Sequence, residues 1–187
     1  MVFAAVILAY EVANAQFGFG LPLQVRELFG ADGPRFYGML ASLAGLVVVV
    51  GTTPLTRLTA RLSHTANMAL GGLLYAAGFG MIGLISRRGW FLLAMVVWTS
   101  GEIAVATNMG AYIASNSPAS QRGRYSSFFE TVRNVGLTGG PLLMGWVVEA
   151  WGVRMIWPLS FAVLAAASWA MFKLGRVSYA KGNEVLR

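Results

Sequence analysis

Six apolar stretches, each near the length needed to cross a bilayer, occupy almost all of this 187-residue chain. An α-helix rises ~1.5 Å per residue, so a hydrocarbon core ~30 Å thick needs about 20 apolar residues. The stretches run over residues 2–23, 36–53, 66–85, 90–114, 125–148 and 155–174, and residues 175–187 remain as a polar tail. Lipid offers the backbone no hydrogen-bond partner, so spans of this length are expected as helices. The sequence therefore predicts an all-α membrane protein, a bundle of six transmembrane helices filling residues 1–187.

Composition narrows the function classes. Apolar residues make up 57% of the chain and charged residues 11%, where a soluble domain carries about 25% charged residues. No polar stretch is long enough for a separate soluble domain. The net charge of +7 is spread over connections and tail. It forms no basic stripe with interleaved aromatics, so topology explains it and nucleic acid is not an expected partner. Without cysteine, disulfides and thiolate metal sites are excluded. Ala13-Asn14-Ala15 has the form of a signal-peptidase site. The stretch before it lacks a positive start and contains Glu11, so a retained span is expected.

Orientation follows from basic residues in the connections. One side would hold Arg57, Arg61, Arg122, Arg124, Lys173, Arg176, Lys181 and Arg187, eight in all. The other would hold Arg26, Arg35, Arg87, Arg88 and Arg154, five in all. Both termini are expected in the cytoplasm, at the cell (inner) membrane.

Ionisable groups at membrane depth are costly and need a reason to persist. Glu11, Asn14 and Gly18 are spaced i, i+3, i+7 and would share one helical face. They would line a cavity or, alternatively, specify helix packing. Apolar surroundings disfavour a carboxylate anion, so such a group can exchange protons, as proton coupling requires. Glu102 lies with Thr99 and Met109 on one face and Trp98 one turn away. This surface suits a lipophilic or cationic ligand, or an interhelical contact. Glu130, Arg133 and Asn134 fall at i, i+3, i+4, so Glu130 and Arg133 can pair, as a structural ion pair or at a gate. Gly136 and Gly140, followed by Pro141 and Gly145, give a smooth helix surface for close packing.

Enzyme chemistry finds no foothold. The lone histidine, His64, sits in a connection, and there is no G-x-S-x-G, no H-E-x-x-H and no phosphate loop. No catalytic residue, metal or cofactor is expected.

Three segments carry a resemblance to a known family. They are Gly101-Glu102, the connection from Asn116-Ser117-Pro118 to Arg122-Gly123-Arg124-Tyr125, and Gly139-Gly140-Pro141-Leu142-Leu143-Met144-Gly145. The chain resembles the C-terminal half of a major facilitator superfamily transporter, closest to the multidrug-efflux type of proton antiporter. In that family a Pro-x-x-x-Arg-Gly loop, matched here by Pro118, Arg122 and Gly123 with Arg124 following, joins two late helices. The connection from Pro54 to His64 departs from the family, having Arg57 and Arg61 but no acidic residue.

The resemblance implies half of a twelve-helix fold that exports small lipophilic compounds by proton-coupled alternating access. Its partners would be the lipid bilayer, an N-terminal six-helix half or a second copy, a small-molecule substrate and protons. Met1 directly before an apolar span is what a truncated gene, a fragment or a misplaced start would give. A self-pairing half-size transporter and a non-transporting assembly protein are the alternatives, and importers of sugars or metabolites share the scaffold.

Because the chain lacks cysteine, single-cysteine labelling tests the orientation directly. In intact cells a membrane-impermeant maleimide should label Ser86→Cys and spare Ala60→Cys. The reverse pattern would invert the topology.

Overall fold

In lipid a helix can end only where its backbone polar groups find other partners. A computed structural model describes residues 2–185, with side chains as far as Arg176. All of its regular structure is helical: α1 (Val2–Asn14), α2 (Gly20–Phe29), α3 (Gly33–Leu58), α4 (His64–Leu84), α5 (Arg88–Ser115), α6 (Arg122–Trp151) and α7 (Ile156–Val185). Short 3₁₀ turns join several of them. Lys181 and Arg187, counted above for orientation, lie outside the residues whose side chains are described.

The first apolar stretch is not one helix. It stops at Asn14, passes through a 3₁₀ turn at Ala15–Phe17 and restarts at Gly20. Gly18-Phe19-Gly20 offers weak helix formers, and Pro22 lacks the N–H that would bond back to the Gly18 carbonyl. Other ends also differ from expectation. α3 continues through Pro54 to Leu58, α6 begins at Arg122 rather than Tyr125, and α7 extends to Val185 through the stretch expected as a tail. Glycines with positive φ, Gly30 (56°) and Gly152 (84°), make the turns after α2 and α6.

Among the described residues four stretches are long and apolar enough to cross a membrane: 2–58, which contains α1 to α3, then α4, α5 and residues 153–176, most of them in α7. α6 is not among them. Arg124, Ser126, Ser127, Glu130, Thr131, Arg133 and Asn134 crowd its first half.

α4 is the centre of the bundle, packed against α5 on one side and α7 on the other. α1 lies between α6 and α7, and α3 leans on α5 much as α6 leans on α1. The bundle thus pairs the second apolar stretch with the fourth and the fifth with the first. Its core is aromatic, with Phe79 5.2 Å from Trp98 and stacked at 5.6 Å on Trp157. Tyr10 of α1 donates to the Met68 carbonyl of α4 at 3.1 Å and meets Ser168 of α7 at 3.4 Å. One hydroxyl thus ties three helices.

Close approach of α4 and α5 depends on two glycines. A Cβ on Gly71 would lie 2.8 Å from the Gly101 carbonyl oxygen, and one on Gly101 would lie 2.7 Å from the Tyr75 amide nitrogen. Backbone cannot give way as a flexible side chain can. Gly71→Ala should therefore cost about 1–3 kcal/mol, as overpacking does, seen as a lower midpoint of thermal unfolding in detergent. Gly38→Ala, where a Cβ meets nothing within 4 Å, should leave the midpoint unchanged.

Candidate functional site

Helix α1 brings Glu11 to its last turn, just before the break, and the face it presents there meets α6. Two glycines let α6 approach. A Cβ on Gly136 would lie 2.7 Å from Glu11 Cβ, and one on Gly140 would lie 2.8 Å from the Val12 carbonyl oxygen. Pro141, next in the chain, leaves the Leu137 carbonyl without its helical donor.

At this crossing Arg133 Nε donates to Glu11 Oε1 at 2.8 Å, and Arg133 Nη1 donates to Glu130 Oε1 at 3.0 Å. Asn14 Nδ2 donates to the second oxygen of Glu11 at 3.4 Å. The environment is graded: the Glu11 side chain is 9% exposed, Arg133 30% and Glu130 59%. One guanidinium therefore bridges a buried carboxylate on α1 and an exposed one on α6. Glu11 is not an isolated carboxyl in apolar surroundings, because a cation from a helix 122 residues away holds it.

Glu102 of α5 is half-buried and, among the described residues, makes no ion pair or side-chain hydrogen bond. The charges of both Glu11 and Arg133 act on it. Glu11 and Glu130 thus share one guanidinium, while Glu102 stands without an ion-pair partner among the described residues.

The remaining expected residues distribute unevenly. Gly18 does not share the face of Glu11 and Asn14. The helix ends at Asn14, so the i+7 spacing lapses and Gly18 sits exposed in the turn beyond. Trp98, Thr99 and Met109 are buried within the bundle. Trp98 packs on Phe17 of the break at 4.7 Å, and Phe17 lies 5.5 Å from Tyr37 of α3. Pro118 precedes a 3₁₀ turn, whereas Arg122, Gly123 and Arg124 form the exposed first turn of α6 and not a loop. Gly145 stands clear of close contact, its nearest neighbour being Phe19 at 3.9 Å from a built Cβ.

Sequence reasoning missed two polar groups. Gln16 within the break and Gln24 on α2 beyond it are fully buried, with the indole N–H of Trp157 donating to Gln24 Oε1 at 3.4 Å. At the far end of the bundle, Asn108 of α5 donates to the Ala104 carbonyl at 2.9 Å. Its oxygen is thereby left to accept from Asn67 Nδ2 at 3.2 Å and from His64 Nδ1 at 3.0 Å. Asn67 also donates to the Thr59 carbonyl at 3.1 Å, fixing the connection before α4. Neutral amides and an imidazole thus hold together the segment where an acidic residue is missing. Amides inside otherwise apolar stretches were the signal for all four residues.

A family model described as Major Facilitator Superfamily matches residues 1–183. The chain belongs to that superfamily. It is an integral membrane protein on the joint weight of the family and its apolar helices. It is 27% identical over 134 residues to a protein of Bacillus subtilis (strain 168) named "Uncharacterized MFS-type transporter YttB". That match takes in 71% of this chain and 34% of the relative, so the chain spans about a third of that protein's length.

Breaking a buried pair by removing one partner costs about 3–5 kcal/mol. Arg133 is 30% exposed, which lowers the expectation to about 1–3 kcal/mol. Arg133→Leu should destabilise by that amount. Adding Glu11→Gln should recover part of the loss, giving a coupling of opposite sign in a double-mutant cycle of thermal unfolding. Strict additivity would mean that the two side chains do not interact.

Proposed function

We propose that the chain is the C-terminal six-helix half of a proton-coupled exporter of small lipophilic compounds. In this reading α1 and α2 together make one span, α6 makes another despite its polarity, and both termini lie in the cytoplasm. The observation that carries the proposal is the Glu11–Arg133 pair at the break of α1, with Glu130 on the same guanidinium. Membrane transporters place coupling-ion and substrate sites at discontinuous helices near the midplane. Glu102, without an ion-pair partner among the described residues, would give an incoming proton somewhere to reside.

Proton arrival at Glu11 removes the anion that holds Arg133 Nε, while Glu130 remains within reach of Nη1. The guanidinium then turns toward the exposed side, and α1 and α6 are joined only by their small-residue contact. Loss of the proton restores the clamp. The pair is thus a latch between two helices whose state depends on protonation, which is the element alternating access needs. Transfer of one charge across the membrane is worth about 2.3 kcal/mol per 100 mV, so one coupled proton supports appreciable accumulation of substrate.

The partner half would cover α3 and α6. Leu46, Val49 and Val50 on α3 and Leu142, Leu143 and Trp146 on α6 are exposed. Between them and Glu130, α6 exposes Thr131, Asn134 and Thr138. Hydroxyl and amide groups in a row suit a wet cleft better than hydrocarbon. The small-molecule path would run there, past Glu102 and the aromatic group of Phe17 and Tyr37.

The test is proton-gradient-driven efflux of a fluorescent lipophilic cation from cells expressing the intact gene. Glu11→Gln and Glu102→Gln should each lower efflux at least tenfold at unchanged membrane abundance. Unaltered efflux in Glu11→Gln would remove that residue from coupling. Failure of the parent protein to move any of a panel of compounds would favour an assembly role.

A further inference from the structure

Away from the proposed transport path, α4 and α7 leave an apolar groove on the outer face of the bundle. Its volume is ≈ 440 Å³, with Ala66 and Ala69 of α4 and Ala165 and Ser168 of α7 among its lining. Leu70 and Leu73 stand on one side, and Trp169 and Phe172 on the other. At Ala66 and Phe172 it runs into a second cavity of ≈ 270 Å³ lined also by Ser63, Thr65, Gly175 and Arg176. The two form one channel, apolar along most of its length and polar at one end.

Its dimensions fit a lipid chain. Ser63, which caps α4, and Leu73 are ten residues apart, about 15 Å at ~1.5 Å per residue. That is half of a ~30 Å hydrocarbon core, the depth of one leaflet. Small residues on the floor and long or aromatic ones at the sides make a trough that an extended acyl chain fills. A flat helix surface would meet lipid without selecting any.

Charge selects the head group. The polar end opens where α3 and α5 finish and α4 and α6 begin. Among the residues whose side chains are described, the charged groups flanking that end are Arg57, Arg61, Arg122, Arg124, Lys173 and Arg176, with no carboxylate between them. At the opposite end Glu27, Asp32 and Glu149 accompany the basic residues, and Asp32 pairs with Arg88 at 2.9 Å. Lys173 Nζ rests 3.8 Å above the Trp169 ring, and the Arg176 guanidinium lies 5.6 Å from the Phe172 ring. Both cations are thus held at the rim by the same aromatics that wall the groove. Among the described residues neither has a carboxylate partner.

We propose that the α4–α7 groove binds an anionic glycerophospholipid of the adjacent leaflet. One acyl chain lies between Leu73 and Trp169, and the head-group phosphate sits between Arg176, Lys173 and the hydroxyls of Ser63 and Thr65. This requires only that the protein lies in the membrane and is independent of the transport reading. A bound lipid there staples the start of α4 to the end of α7, where Gly175 already packs on Thr65.

Native mass spectrometry of the purified protein in detergent tests it, with equimolar phosphatidylglycerol and phosphatidylcholine added. The protein should retain phosphatidylglycerol about tenfold more. Since a basic residue near an anionic surface is worth about one kcal/mol, Lys173→Gln with Arg176→Gln should abolish most of that preference. Both side chains are exposed, so the variant should unfold at the parent's temperature in the absence of lipid. Ala66→Phe, which fills the groove, should lower retention of both lipids at the site. Equal retention of the two lipids, or an unchanged preference in the double variant, would overturn the proposal. So would displacement of phosphatidylglycerol by inorganic phosphate at equal concentration, since the site would then read phosphate alone.

Discussion

Helices in lipid gain nothing from hiding apolar surface, because the acyl chains are as apolar as leucine. What joins them is contact itself, and the contacts here depend on missing side chains. Gly71 and Gly101 bring α4 and α5 within backbone distance, and Gly136 and Gly140 do the same for α6 and α1. The Glu11–Arg133 pair between α1 and α6 and the Asn67–Asn108 bond between α4 and α5 use the closeness those glycines allow. A wider spacing would leave each of these groups short of its partner, and an unpaired polar group in hydrocarbon costs several kcal/mol.

The break in the first stretch and the ion pair beside it support one another. Ending α1 at Asn14 frees backbone groups, and the polar residues that gather nearby, Gln16 and Gln24 among them, are buried with it. The break also carries Phe17 inward against Trp98. Straightening this stretch would withdraw that ring from the core and swing Gly18 under Glu11. The irregular backbone is therefore part of how the charged cluster is built.

Much of this was legible in the chain. The helical, apolar character of the chain was legible because length and charge are local properties, although α6 is not among the four stretches that are long and apolar enough to cross a membrane among the described residues. Glu130 and Arg133 meet because their i, i+3 spacing puts them on one face. Glu11 and Arg133 are a different matter: 122 positions apart, they have no shared periodicity to connect them. The face predicted for Glu11, Asn14 and Gly18 lapsed because glycine and proline at 18, 20 and 22 outweigh an apolar pattern. The amide network of Asn67 and Asn108 was overlooked for a related reason. An asparagine inside an apolar stretch announces a partner without naming it.

α6 has a bearing on how the protein is made. Its first half is polar enough that entry into the bilayer alone is unfavourable, with Arg133 a large part of the penalty. α1 emerges from the ribosome long before it and already holds the matching anion. If the earlier helix waits beside the insertion channel, the guanidinium can be neutralised as it enters, and the glycine face provides the docking surface. The same contact proposed as a latch would thus also bear on whether the polar helix is accepted by the membrane at all.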